Sequence, residues 1–177
     1  RFGTAFASQH YGVTPDLFTV AKGLTNATVP MGGVFASSKV REAFLKGPDT
    51  VPDLFHGYTY SGHPLACAAA LATLDVYRDE GIFENAAAMA PVWEEMLHSV
   101  QDAPGVIDVR NAGILGAVQL QSGETVGAAG RAMFEKLWDL GLSVRPIGDS
   151  LAMSPPLTLT EGDIAQIGEV LNKGLRG

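Results

Sequence analysis

Hydrophobic positions along the chain alternate between strand-like runs and helical spacing, and the switches between them mark the expected elements. Leu17 to Ala21 is a mostly apolar run that follows the turn signal Thr14-Pro15-Asp16 and stops at Lys22-Gly23. This predicts a short buried strand ending at a lysine. A second strand is predicted at Gly33 to Ala36, beyond the polar loop Gly23 to Thr28. Ser38 to Lys46 has helical spacing and stops at Gly47-Pro48, after which Gly47 to Ser61 reads as irregular. Pro64 suits the first position of a helix, and Leu65, Ala69, Ala72 and Val76 recur at helical spacing until Gly81.

In the second half, Met89, Trp93, Met96 and Val100 share one face of the next predicted helix, with Glu94 and Glu95 turned away. Pro91 inside that segment lacks a backbone donor and predicts a kink or a late start. The β-rich runs Val106 to Val109 and Ile114 to Leu120, separated by Asn111-Ala112-Gly113, predict paired strands. Ala129, Met133, Leu137 and Leu140 then predict a helix closed by Gly141, followed by short strands around Leu142 to Val144 and Leu151 to Met153. A last helix is capped by Thr160, with Asp163 completing a variant capping box and Ile164, Ile167, Leu171 and Leu175 on the buried side. Residues from about Gly81 onward therefore read as an α+β unit of their own.

Composition narrows the classes. Of 177 residues, 46% are hydrophobic and 18% charged, which is globular composition. The net charge of −7 and the scattered lysines and arginines argue against a nucleic-acid partner. The longest nearly apolar stretches, such as Pro64 to Leu74, are too short to span a bilayer, so no membrane segment is expected. The chain opens on Arg1 without a signal-peptide pattern, which reads as a cut through a longer, cytoplasmic protein. The single Cys67 lies among alanines and reads as a structural thiol in a reducing compartment, and the spacing of His56 and His63 matches no metal site.

Chemistry concentrates on a few residues. Among five lysines, Lys39, Lys46, Lys136 and Lys173 fall at helix ends or on charged helix faces, whereas Lys22 ends an apolar strand and precedes a glycine. Desolvation at such a position favours a neutral amine able to attack an aldehyde, although a solvent-reaching lysine after a strand fits the same pattern. Thr59 and the backbone amide of Tyr58 lie in a glycine-bearing loop suited to a phosphate, or to an ordinary turn capping the helix at Pro64. Arg145 precedes Pro146 after a short predicted strand, where its guanidinium can hold a carboxylate through two parallel hydrogen bonds or pair with Asp149.

Three ordered motifs carry a resemblance. The segment from Pro15 to Thr25 with Pro30-Met31-Gly32-Gly33-Val34, the segment from His56 to Pro64, and Val144 to Asp149 followed by Ser154-Pro155-Pro156-Leu157 are together similar to class III pyridoxal-phosphate-dependent aminotransferases. The stretches Pro52 to Ser61 and Val106 to Asn111 resemble the ω-amino-acid (β-alanine):pyruvate branch, while Phe2 stands where the family usually has threonine.

The resemblance implies an α/β protein of the pyridoxal-phosphate transferase fold type I, like aspartate aminotransferase. Residues 1–80 would end the large cofactor domain and residues 81–177 would form the small C-terminal domain. It implies that Lys22 forms the Schiff base to pyridoxal 5'-phosphate and then moves the substrate proton. Thr59 and Tyr58 would hold the cofactor phosphate across a homodimer interface, and Arg145 would bind the substrate carboxylate. The implied reaction passes an amino group from an ω-amino acid or amine to pyruvate or a similar oxo acid. A class III decarboxylase or aminomutase shares the fold, and a non-catalytic structural or interaction fragment is the reading from another class. The carboxylate that pairs with the pyridine nitrogen would lie before Arg1, so these residues alone are expected to be inactive.

Overall fold

The computed structural model describes residues 1–50 and 54–177. In chain order its elements are α1 (Ala7–His10), β1 (Leu17–Val20), β2 (Gly33–Ala36), α2 (Ser38–Phe44), α3 (Pro64–Asp79), α4 (Ile82–His98), β3 (Val106–Ala112), β4 (Leu115–Leu120), α5 (Ala128–Asp139), β5 (Arg145–Ile147), β6 (Ser150–Met153) and α6 (Glu161–Arg176). A single 3-10 turn, Lys22–Leu24, follows β1. The chain divides into two compact units, one of residues 11–81 and one of residues 1–10 with 82–177.

In the unit of residues 11–81, β1 and β2 form an antiparallel pair in register from Leu17 opposite Ala36 to Val20 opposite Gly33. The strand at Leu17 is where the sequence places it, and within this unit alone Leu17 and Thr19 are exposed and Phe18 and Val20 half-covered. A two-stranded ribbon has no second layer to cover both faces. Ser37 caps α2, its hydroxyl accepting from the Val40 amide at 3.4 Å. Helix α3 begins at Pro64 and buries Ala66 and Ala70, while Leu65, Leu71, Leu74 and Val76 remain exposed. Its apolar periodicity is real, yet within this unit the buried stripe is the alanine one. The stretch from Gly47 to Ser61 is irregular where it is described, and Pro52 and Asp53 of the branch motif lie outside the described residues.

The second unit is built on a four-stranded antiparallel sheet in the order β3-β4-β6-β5. Strand β4 alternates strictly, burying Gly116, Val118 and Leu120, as a strand with one covered face must. The register shifts between Val106 and Asp108, a bulge that puts one extra residue into β3. The core joins Trp93 and Leu97 of α4, Leu137 of α5, Ile164 and Leu171 of α6, and Val118 and Leu151 of the sheet. Packing against α4 is close: a Cβ on Gly116 would fall 2.4 Å from Leu97 Cδ1.

Helix α4 runs unbroken from Ile82 through Pro91, so the late start expected from that proline does not occur. Pro91 is exposed, while Ala86, Trp93 and Leu97 on either side of it are anchored in the core. Burial on both sides of the missing hydrogen bond outweighs its loss. The strand expected at Leu142 to Val144 begins instead at Arg145, because Gly141 and Leu142 donate their amides to Trp138 and Leu137 and close α5. Thr160 and Asp163 form the reciprocal capping box at the start of α6.

The first residues belong to this unit by direct bonds. The Ile114 amide donates to the Arg1 carbonyl at 3.0 Å, and the Arg1 guanidinium donates to the Pro155 carbonyl. Gly3 has φ +74° and leaves no room for a side chain, since a Cβ there would lie 2.5 Å from Ala87 Cβ.

Candidate active site

The Lys22 loop is held in an unusual backbone. Lys22, Asn26 and Ala27 have φ of 54°, 49° and 59°, the left-handed region that side chains with a Cβ rarely enter. Such strain persists only where neighbouring contacts over-determine it. Here Thr25 is 1% exposed and donates its hydroxyl to the Val29 carbonyl at 2.6 Å, and the Thr28 hydroxyl donates to the Thr25 carbonyl. The Ala27 amide donates to the Lys22 carbonyl at 3.3 Å. From α3, the Tyr77 hydroxyl donates to the Gly23 carbonyl at 2.7 Å, tying the residue after Lys22 to the long helix. Lys22 itself is exposed, and its amine has no ion pair or hydrogen bond among the described residues. The burial expected around Lys22 is therefore not supplied by this unit.

Tyr58, Thr59 and Tyr60 project from the irregular segment before α3, all three exposed. Turns close there through the Ser61 amide to Tyr58 and the His63 amide to Tyr60. The cap of α3 is His63, whose Nδ1 accepts from the Leu65 amide at 3.2 Å, so the capping role considered for Thr59 falls on the histidine. His56 packs edge-on against Tyr58 with ring centres 5.0 Å apart. No hydrogen bond joins Lys22 to Tyr58 or Thr59 among the described residues.

Arg145 lies in the other unit, as the first residue of β5 and opposite Ala152. It lines an open cavity of about 720 Å³ together with Trp93, Leu115, Val144, Met153, Pro156 and other residues. Its guanidinium is exposed and forms no ion pair among the described residues. Asp149, the expected alternative partner, is committed elsewhere: its carboxylate accepts from the Gly127 amide, the Ser122 hydroxyl and the Gly130 amide at 2.9, 2.8 and 3.1 Å. These donors, the Gly127 amide first, hold its carboxyl below the usual carboxylate range. Beside the cavity, Trp93 Nε1 is buried without a partner. Sequence reasoning missed Tyr77, Thr25 and the Asp149 clamp. Tyr77 falls off the apolar periodicity of its helix, and Asp149 looked like an ion-pair partner because only its spacing from Arg145 was visible.

Among the described residues no group of three His, Cys, Asp or Glu side chains could hold a metal ion, and no helix is long and apolar enough to cross a membrane.

These features coincide with a known family. The aminotransferase class-III family model matches residues 1–175, and the chain belongs to that family, whose cofactor is pyridoxal phosphate and whose fold is the mixed α/β transferase fold type I. The chain is 48% identical over 177 residues to an omega-aminotransferase of Caulobacter vibrioides, covering 99% of this chain and 40% of that protein. It is 40% identical over 182 residues to a beta-alanine–pyruvate aminotransferase of Pseudomonas aeruginosa, covering 100% of this chain and 40% of the relative. Among solved structures, a transaminase with L-alanine superposes with a TM-score of 0.94 at 28% identity, covering 99% of this chain and 43% of that one. A thermostable (S)-enantioselective omega-transaminase from Thermomicrobium roseum gives 0.89 at 35% identity, with 99% and 40% covered. The chain thus spans about two fifths of the length of the curated relatives it matches.

Proposed function

We propose that the protein containing these residues is a pyridoxal-phosphate-dependent transaminase that moves an amino group from an ω-amino acid or amine to pyruvate or a similar oxo acid. The observation that carries this reading is Lys22: an amine without a partner among the described residues, on a left-handed backbone that Thr25 and Tyr77 hold in place, in a chain of the class III family. Relatives named omega-aminotransferase and beta-alanine–pyruvate aminotransferase support the substrate class.

The residues present fit the cofactor. Lys22 offers a primary amine with no competing partner among the described residues, and the exposed Tyr58 to Ser61 loop offers a hydroxyl and amides to an anion. When bound, pyridoxal phosphate supplies the electron sink that makes the substrate's Cα–H bond acidic. Lys22 would hold the cofactor through Nζ, and the same amine would carry a proton to and from the substrate carbon. The Thr59 hydroxyl and the Tyr58 amide would donate to the cofactor phosphate of a neighbouring subunit, which would make the working form a homodimer. Arg145 grips the substrate carboxylate through paired N–H donors and moves aside for apolar amines. The single cysteine, Cys67, supports placing the protein in the reducing cytoplasm.

The test uses the complete enzyme with an ω-amino acid and pyruvate. Alanine formation, together with borohydride-fixed cofactor mapped to Lys22 by mass spectrometry, is the expected result. Release of carbon dioxide without alanine would assign a decarboxylase, and an unlabelled Lys22 would leave a non-catalytic protein.

A further inference from the structure

We infer that Asp149 is a positioning residue for Arg145, holding the hairpin that carries the guanidinium against the first turn of α5 and so setting the affinity for carboxylate-bearing substrates. The inference rests on the reading of Arg145 as the carboxylate-binding residue.

Arg145 stands on a weak support. Strand β5 is three residues long, lies at the edge of the sheet and pairs only with β6. Its middle residue is Pro146, which has no amide to give to a ladder. Left to its own hydrogen bonds, such a strand frays.

The turn that joins β5 to β6 is fastened instead. Ile147 pairs with Ser150, leaving Gly148 and Asp149 as a two-residue hairpin loop, with Gly148 at φ +57° as such loops require. The Asp149 side chain is 4% exposed and accepts from three donors: Ser122 Oγ at 2.8 Å, the Gly127 amide at 2.9 Å and the Gly130 amide at 3.1 Å. The two amides flank the first residues of α5, where unpaired N–H groups and the helix dipole favour a carboxylate. The main chain is tied as well, since the Asp149 carbonyl accepts from the Leu120 amide at 2.8 Å. Contact is tight enough to exclude a methyl group: a Cβ on Gly130 would meet the Gly148 carbonyl oxygen at 2.1 Å.

Asp149 therefore fixes where β5 begins to turn, four residues from Arg145, without touching the guanidinium. A guanidinium that must move between two positions needs a fixed root, and the clamp supplies one while leaving the side chain without an ion pair among the described residues. Removing the clamp lets the hairpin shift and weakens the paired hydrogen bonds to a carboxylate. It leaves amines without a carboxylate unaffected.

The experiment compares Asp149→Asn, Ser122→Ala and Arg145→Gln in the complete holoenzyme. Two substrates are used: pyruvate, and an aromatic amine with no carboxylate followed in its half-reaction. Asp149→Asn is expected to raise KM for pyruvate about tenfold, the scale of one lost charge-assisted hydrogen bond. Turnover of the amine stays unchanged. Ser122→Ala, which removes one donor and spares the carboxylate, is expected to shift the same constant in the same direction by about twofold to threefold. It serves as the readout if Asp149→Asn does not fold. The double variant with Arg145→Gln is expected to be no worse for pyruvate than Arg145→Gln alone. If Arg145→Gln leaves the pyruvate KM unchanged, the reading of Arg145 fails and the inference goes with it. If Arg145→Gln raises that KM but Asp149→Asn and Ser122→Ala do not, or depress both substrates equally, the positioning role is overturned while the reading of Arg145 stands.

Discussion

Replacing glycine by alanine in two first helical turns separates propensity from packing. Gly130 is the third residue of α5 and Gly162 the second of α6, and neither has a positive φ. On backbone entropy alone, alanine at either position gains up to about 1 kcal/mol. At Gly162 the new Cβ meets only Thr160 Oγ1 at 3.7 Å, an ordinary contact, so the gain is realised. At Gly130 it would lie 2.1 Å from the Gly148 carbonyl oxygen and 3.0 Å from Asp149 Cα, both backbone atoms that cannot rotate away. Overpacking of that kind costs about 1–3 kcal/mol, toward the upper end where no side chain yields. The shift also stretches the Gly130 amide bond to Asp149. Gly130→Ala is therefore expected to lose stability and Gly162→Ala to gain it, with about 1–3 kcal/mol between them. Urea denaturation followed by far-ultraviolet circular dichroism measures the separation, and hydrogen exchange at Ile147 to Leu151 locates it. If Gly130→Ala proves as stable as Gly162→Ala, the close approach of α5 to the hairpin is wrong.

Thr160→Ala removes the hydroxyl that accepts from the Asp163 amide and is expected to cost about 1 kcal/mol by the same denaturation assay. Tyr77→Phe deletes the hydroxyl on the Gly23 carbonyl while keeping the ring, and by about 1 kcal/mol of lost hydrogen bonding is expected to slow the half-reaction proposed for Lys22 about fivefold in stopped-flow measurements, with little change in global stability. Asp149 has a folded-state pKa below its ordinary value, chiefly through the Gly127 amide and the Ser122 hydroxyl. Its contribution to stability is thus fully present above the unfolded-state pKa and lost as pH falls through the folded one. Stability measured down the acid limb is expected to fall less steeply in Asp149→Asn than in the parent.

Much of this fold is written in local chemistry. Pro64 starts α3, Thr160 with Asp163 starts α6, and the alternation from Leu115 to Leu120 marks a strand with one covered face. These signals are legible because each needs only a few neighbouring residues. What was hidden depends on distant partners. Whether Pro91 breaks α4 is decided by burial of Ala86 and Trp93 on either side, and where β5 begins is decided by how α5 spends the amides of Gly141 and Leu142. Lys22, Thr59 and Arg145 were singled out through motif order. Two of the contacts near them, Tyr77 on the Gly23 carbonyl 54 residues away and Asp149 against α5, are invisible to any local window.

The bond between Arg1 and Ile114 has a consequence for the order of assembly. Residues 1–10 are synthesised ahead of residues 11–81, yet their partners at Ala87, Ile114 and Pro155 emerge only afterwards. The contacts of Arg1 with Ile114 and of Gly3 with Ala87 cannot form until residues 11–81 have been made. Closing so long a loop is entropically slow, so docking of this segment is a late event in folding. A fast early collapse of residues 82–177 followed by a slower burial of Gly3 against Ala87 is the sequence of events that pulse-labelling would record.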